Sequence, residues 1–266
     1  WSGSVLIGAF SGRSQTGNHM TLVGTSTCSE QSGATNVTAI GHGAAKWSKG
    51  SYNVAVGEQA LEKGNDSSNS KFNTAVGYQA LRGDGTDSSG NNSTAVGYKA
   101  LYARSTGNDN TAIGYQALKD CTTAIGIVAV GKEAGLSITT GPENTIVGTT
   151  AGDAITTGGY NSIFGFDSGT AVSTGASNCL IGVNAGKGIT TGSQNICIGH
   201  NASNTDITTA SNNITIGYDT EPSSNSTSNE ITLGNTNITK FRVPGLGFEL
   251  NTDSSNGFIL DFGSIA

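Results

Sequence analysis

The chain is short of most of what a compact globular core is made from. Ile, Leu, Val and Phe together supply 53 of its 266 residues, a share at the edge of the disordered class. Yet charged residues make up only 12 %, and disordered chains usually carry more. Lys and Arg number 13 against 19 Asp and Glu, for a formal net charge of −6. With no basic excess to meet phosphates, nucleic-acid binding is not expected. No apolar run is long enough to cross a bilayer as a helix, and membrane insertion is not expected. The four cysteines, Cys28, Cys121, Cys179 and Cys197, form no C-x-x-C pair, so neither a zinc site nor a dithiol motif is expected. The first residue is Trp1 and no signal peptide is visible, as expected of a processed form or a fragment.

Small polar residues take the place of what is missing. Gly, Thr, Ser and Asn account for 40, 34, 31 and 25 residues, about half of the chain. All four are weak helix formers, which argues against a packed helical domain. What remains is a β architecture of small residues with its apolar positions placed very regularly.

A repeat supplies that regularity. A short apolar run ending in Gly recurs at Gly8, Gly24, Gly41, Gly57, Gly77, Gly97, Gly114, Gly131, Gly148, Gly165, Gly182, Gly199, Gly217 and Gly234. From Gly97 to Gly199 every interval is 17 residues. Gly126 mimics the motif out of phase, and Gly131 keeps the register. The residue before each anchor is apolar in all 14 copies, and Asn stands four before it in 8 of 14. Adjacent strand residues face opposite ways. Both faces of this run avoid charge, so one is expected to fill the coil interior and the other to meet a partner surface.

After the anchor the copies divide. Those at Gly57, Gly77, Gly97 and Gly114 continue x-x-Ala-Leu, and those at Gly131, Gly148 and Gly182 continue x-x-Ala-Gly. Later copies add Ile138-Thr-Thr-Gly141, Ile155-Thr-Thr-Gly158, Val172-Ser-Thr-Gly175 and Ile189-Thr-Thr-Gly192, read as a second short strand. Two strands of four or five residues and two turns would fill 17 positions. The expected fold is all-β: a β-solenoid or β-roll of 14 coils over residues 1–239, a rod on the order of 65 Å long. From Lys240 the composition changes, with four of the eight Phe in the last 26 residues. Phe248-Glu-Leu250 and Phe258-Ile-Leu-Asp-Phe262 flank a turn-rich stretch. Residues 240–266 are expected to form a small β-hairpin that caps the open end.

Asn73-Thr-Ala-Val-Gly-Tyr-Gln-Ala-Leu81 and Asn110-Thr-Ala-Ile-Gly-Tyr-Gln-Ala-Leu118 resemble repeats of viral and bacteriophage tail fibres. They are also similar to the repeats in the heads of trimeric autotransporter adhesins. Ile231-Thr-Leu-Gly-Asn-Thr-Asn-Ile-Thr-Lys-Phe-Arg242 is similar to the end of a fibre shaft. The resemblance covers residues 1–242. It implies a homotrimer of parallel, left-handed β-rolls, intertwined or side by side about a threefold axis. It further implies an extracellular place, on a virion or as a cell-surface appendage, and attachment to a receptor. The chain departs from the adhesin pattern in showing no heptad stalk, membrane anchor or C-terminal chaperone domain.

No catalytic constellation is visible. His42 and His200 both follow an anchor, far apart along the rod, and His19 stands alone, so an enzyme is not expected. No cofactor or metal is called for. Asp84 and Asp87 are oxygen donors of the kind Ca²⁺ takes, but Asp/Ser/Gly loops are ordinarily solvated turns. Tyr78, Tyr98 and Tyr115 share the column after the anchor and should stack. Aromatic rings suit glycans, although such a stack also simply covers a turn or meets a neighbouring chain. Insertions in a solenoid project from one face and often bind, which brings in Asn65, Lys71, Asp84, Asp87 and Asn91 of the two 20-residue coils. The expected receptor contacts are these five residues and the three tyrosines, and the receptor a cell-surface glycan or protein. The Thr-Thr columns suggest ice-binding arrays, but adjacent Thr point to opposite faces. Cys179 and Cys197 fall on opposite strand faces, which argues against a disulfide between them. Sequons at Asn36, Asn92, Asn213 and Asn237 are expected by chance in such a composition. The leading expectation is a structural fibre that projects from a surface and attaches to a host. The alternatives are a secreted subunit polymerising head to tail into a filament, and an ice-binding solenoid.

Overall fold

The computed structural model describes residues 2–30, 32–63, 70–83, 90–205, 208–243, 248–252 and 258–261. Fourteen strands of three residues form one parallel sheet in chain order. They are β1 (Val5–Ile7), β2 (Thr21–Val23), β3 (Thr38–Ile40), β4 (Val54–Val56), β5 (Thr74–Val76), β6 (Thr94–Val96), β7 (Thr111–Ile113), β8 (Val128–Val130), β9 (Thr145–Val147), β10 (Ser162–Phe164), β11 (Cys179–Ile181), β12 (Ile196–Ile198), β13 (Ile214–Ile216) and β14 (Ile231–Leu233). Among the described residues there is no helix. Thirteen steps of about 4.8 Å make a rod about 62 Å long. Every strand stops at the residue before an anchor glycine. β8 ends at Val130, so Gly131 is the anchor and Gly126 is not. The 20-residue coils keep the same columns, with Val54 opposite Thr74 and Thr74 opposite Thr94.

The anchors need glycine for two reasons. Gly77 has φ +130°, and a Cβ there would lie 2.5 Å from the carbonyl oxygen of Gly97 in the next coil. The turn after the anchor is left-handed at non-glycine residues as well: Gln79 has φ 54° and Leu81 φ 52°. Such residues cost about 1–2 kcal/mol each in isolation. Here their amides are tied to both neighbours. Gln79 donates its N–H to the Glu58 carbonyl at 2.9 Å, one coil back, and Leu81 to the Ala100 carbonyl at 2.9 Å, one coil on.

The middle residue of each strand points inward and is buried in β2 to β13. Asn, two positions earlier, is also inside. Asn161 Nδ2 donates to Asn144 Oδ1 at 3.0 Å and to the Gly175 carbonyl at 3.0 Å, while its own Oδ1 accepts the Asn178 N–H at 2.9 Å. Repeated up the rod, this places a polar ladder beside a thin apolar core and satisfies its buried amides. The ladder is interrupted at Ser93, whose Oγ receives the Asn110 N–H at a stretched 3.4 Å. There Arg104 enters the core, fully buried. Its guanidinium donates to Asn73 Oδ1 at 3.2 Å, to Ser70 Oγ at 3.3 Å and to the Gly90 carbonyl. Its Nε has no partner, and burial lowers its pKa to about 10.

The second strand expected at Ile138–Gly141 and its later copies is not a strand. Each coil has one strand of three residues, and the Thr-Thr-Gly segments are bent. They are joined by bonds that converge on single carbonyls: the Thr139 and Thr140 N–H groups both donate to Thr156 O, at 2.9 and 3.3 Å, and the Thr156 N–H and hydroxyl both donate to Ser173 O, at 2.9 and 3.2 Å. Converging bonds hold the coil together without an extended ladder. In the C-terminal segment the runs at Phe248 and Phe258 pair as expected, and a third strand joins them. β15 (Lys240–Val243), β16 (Phe248–Thr252) and β17 (Phe258–Asp261) pair antiparallel as a three-stranded meander, in a sheet separate from β14.

Candidate interaction surface

The first and third residues of each strand point away from the coil, and none of these 28 positions is buried. The third column is Val or Ile except for Phe164 and Leu233. The first holds only Thr, Val, Ser, Cys and Ile. The result is an uncharged stripe along the rod, apolar along one edge and half-exposed in the single chain. A continuous exposed apolar stripe makes this face the candidate interaction surface.

Aromatic columns stand at both corners of the stripe. After the anchors, Tyr78, Tyr98 and Tyr115 stack with ring centroids 5.4 and 5.1 Å apart and planes within 10°. Their faces are turned to one another, so ring edges are what the middle of the stack offers to solvent. Lys99 Nζ lies 5.3 Å from the Tyr98 centroid and 5.4 Å from that of Tyr102, a cation–π pair of contacts. Arg82 bridges Glu62 Oε2 at 2.7 Å and the Tyr102 hydroxyl at 2.8 Å. Partial burial opposes the Arg82 charge, but Glu62 and Tyr102 outweigh it and raise its pKa.

The other corner, just before the strand, was not singled out from sequence. Tyr52 and Phe72 stack there at 5.2 Å, both at positive φ. The column mixes Tyr and Phe with Asn, Asp, Glu, Ser and Gln, which hides it in the sequence. Tyr160 belongs to it too. In the column after the anchors, further along the rod, His200 stacks on Tyr218 at 5.3 Å.

The loop candidates are placed unevenly. Asn65, Asp84 and Asp87 lie outside the described residues. The Lys71 N–H donates to Asn91 Oδ1 at 2.7 Å, and the Asn91 N–H to Asn108 Oδ1 at 2.7 Å. The Asn91 carboxamide oxygen is therefore spent on tying coils together. The Thr139, Thr156 and Ser173 hydroxyls each donate to a carbonyl of the next coil at 3.2 Å. In these four copies the second residue, Thr140, Thr157, Thr174 or Thr191, is the exposed one, and the four stand in single file.

The titratable groups are scattered. His42 Nδ1 lies 3.9 Å from Glu58, both exposed. Among the described residues no three His, Cys, Asp or Glu gather as a metal site would require. All four cysteines are free, and Cys179 alone reaches the outward face. Burial pushes the Cys28 and Cys121 thiols up to about 12, which leaves them poor nucleophiles. Glu221 Oε1 accepts the N–H of Asn204 at 2.9 Å and of Thr205 at 3.1 Å, beside a polar hollow lined by Pro222 and Ser223.

The chain matches no known family, no curated protein and no solved structure.

Proposed function

We propose that this chain is a structural fibre segment that associates with two further copies of itself and presents its corners and loops for attachment to a surface. The observation that carries the reading is the strand stripe: 14 consecutive apolar residues, one per coil, half-exposed and free of charge. Three residues wide, it covers roughly 600 Å² along the rod; with the corner before the strand and the inward ring edges of the column after the anchors it reaches roughly 1,200 Å², and the outward ring edges stay free. Shared between two neighbours this is about 600 Å² toward each, the lower end of a standard interface. Threefold closure leaves the polar sides of the coil outward, and three copies multiply weak contacts through avidity. The contacts proposed for attachment are the exposed edges of Tyr78, Tyr98 and Tyr115 together with Lys71, and the ligand class is a cell-surface glycan or protein.

β1 and β14 each have one unpaired edge in the sheet, which supports head-to-tail filament growth as the second reading. Light scattering separates the two. The trimer gives a fixed mass of three 26.8 kDa chains, whereas a filament grows with concentration. A discrete monomer sinks both. For the attachment half of the reading, glycan-array and cell-binding signals should drop when Tyr78, Tyr98 and Tyr115 are changed to Ala together. Binding that survives the triple change removes the tyrosine stack from the contact surface.

A further inference from the structure

We infer that Tyr160, Phe164 and Phe166 set the register in which copies of this chain align along their strand faces. The inference rests on the self-association proposed above and concerns a problem that such association must solve. The stripe is nearly the same at every coil, with Val or Ile in 12 of its 14 positions. Sliding one copy by one coil, about 4.8 Å, sets Val and Ile against Val and Ile again, and forfeits the overlap of a single coil. A surface of this kind gives affinity without register, so register must come from residues that break the repeat on the same face.

One coil does so. Tyr160 stands just before β10, Phe164 is its last residue, and Phe166 follows the Gly165 anchor. They are 58 %, 38 % and 53 % exposed. Their column neighbours in the adjoining coils carry no aromatic ring. Phe164 lies between Val147 and Ile181, Tyr160 between Glu143 and Ser177, and Phe166 between Thr149 and Val183. Tyr52, Phe72, Tyr78, Tyr98, Tyr115 and Tyr218 are already stacked within their own chain. Among the described residues none of the three rings of the β10 coil stacks on another. They are large apolar groups rising from a face of shorter side chains.

Copies in register bring the three rings of each chain into one layer, where aromatic groups bury against aromatic groups. A slip by one coil sets Phe164 against Val147 or Ile181, and Phe166 against Thr149 or Val183. The ring that lost its partner then faces a shorter side chain, and voids open beside it. The penalty for slipping is concentrated in this one layer.

Cysteine trapping reads the register directly. Chains with Val130→Cys and chains with Val147→Cys, both in a Cys179→Ser background, are co-expressed and oxidised. Val130 and Val147 occupy the same column one coil apart. Links between like positions report alignment, and links between 130 and 147 report a one-coil slip. Like links should dominate in the otherwise native protein. Adding Tyr160→Asn, Phe164→Ile and Phe166→Thr, residue types that these columns hold elsewhere, should lower the ratio of like to unlike links about tenfold. Ser177→Tyr, Ile181→Phe and Val183→Phe, added to that variant, should restore the ratio one coil further on. An unchanged ratio in a particle of unchanged mass overturns the inference and leaves the association standing. Failure of the transplanted rings to restore the ratio also overturns it. So does a triple variant that falls to monomers, because the rings would then supply affinity. A native chain that is monomeric and yields no links of either kind removes the association itself.

Discussion

Two stretches of the solenoid wind the same coil around differently built cores. In the coils anchored at Gly57, Gly77, Gly97 and Gly114, the inward strand residue is Ala55, Ala75, Ala95 or Ala112, and the turn contributes Leu61, Leu81, Leu101 or Leu118, all fully buried. In the coils anchored at Gly148, Gly165 and Gly182, the strand contributes Ile146, Ile163 or Leu180, and the turn holds Gly152, Gly169 or Gly186. The exchange is steric. A Cβ on Gly152 would lie 2.9 Å from Ile155 Cδ1 and 3.2 Å from Ile163 Cδ1. The large side chain enters from the strand or from the turn, and the thin interior has room for one of them. Close packing holds even in a core this small.

The backbone sharpens the contrast. Leu81 and Gly152 occupy the same left-handed position, at φ 52° and 54°. Leucine there carries strain that glycine does not. Breaking the arrangement should give the largest effects. Leu81→Ala should cost about 3 kcal/mol by opening a cavity. Leu81→Gly should cost no more, because relief of the left-handed strain offsets the further loss of contacts. At an ordinary buried site glycine would be the worse of the two. Conversely, Gly152→Leu should cost about 2–3 kcal/mol by overpacking. Adding Ile146→Ala and Ile163→Ala should recover much of that loss, a non-additivity expected where side chains share one space. Denaturation by urea measures all of these. Additive losses in the triple variant would refute the exchange.

The interior polar columns differ as well. Where the asparagine ladder runs unbroken, from Asn144 to Asn213, each carboxamide bonds to the next. At Ser93 the hydroxyl is too short, and the buried Arg104 guanidinium stands in for the missing amide. A buried charge with an orphaned Nε is costly. Ser93→Asn alone should destabilise by about 1–2 kcal/mol, because the new amide meets the guanidinium. Ser93→Asn with Arg104→Ile restores the pattern of the later coils and should stabilise by about 1–2 kcal/mol. A double variant less stable than the native chain would show that Arg104 is more than a substitute.

Much of the rod was legible in the sequence because one physical requirement repeats. The anchor permits no Cβ, so glycine marks each coil, and Gly131 keeps the phase through Gly126. The inward strand column and the tyrosine stack follow from that phase alone. What stayed hidden was conformational. Gln79 and Leu81 are left-handed without the glycine that would announce it. The Thr-Thr-Gly segments look like strands by composition, yet their bonds to the next coil, from N–H and hydroxyl groups, converge on single carbonyls. Tyr52, Phe72 and Tyr160 share a corner with Asn, Asp and Ser, so no composition rule separates them. Arg104 sits in a column recognised only from its later copies, Ile138, Ile155, Val172 and Ile189.

That column also makes the two stretches differ in their response to alkali. It reads Arg104 and Cys121 in the earlier coils, then Ile138, Ile155, Val172 and Ile189, all buried. Burial raises the Cys121 pKa from 9.0 to about 12. Its stabilising contribution is therefore complete below pH 9 and is lost as the pH rises toward 12, because the unfolded thiol ionises while the folded one stays neutral. Arg104 has the opposite sign. Its pKa is lowered from 12.5 to about 10, so its penalty is present below pH 10 and relieved above. Between pH 9 and 10 the thiol acts first. A fully buried thiol contributes a slope of up to about 1.4 kcal/mol per pH unit. Cys121→Val, the type that Val172 supplies in the same column, should recover about 1 kcal/mol at pH 10 and leave stability at pH 7 nearly unchanged. Urea midpoints at the two pH values measure the difference. Equal losses in the native chain and the variant would mean that the thiol ionises within the folded coil, and that the earlier stretch opens there more readily than its packing implies.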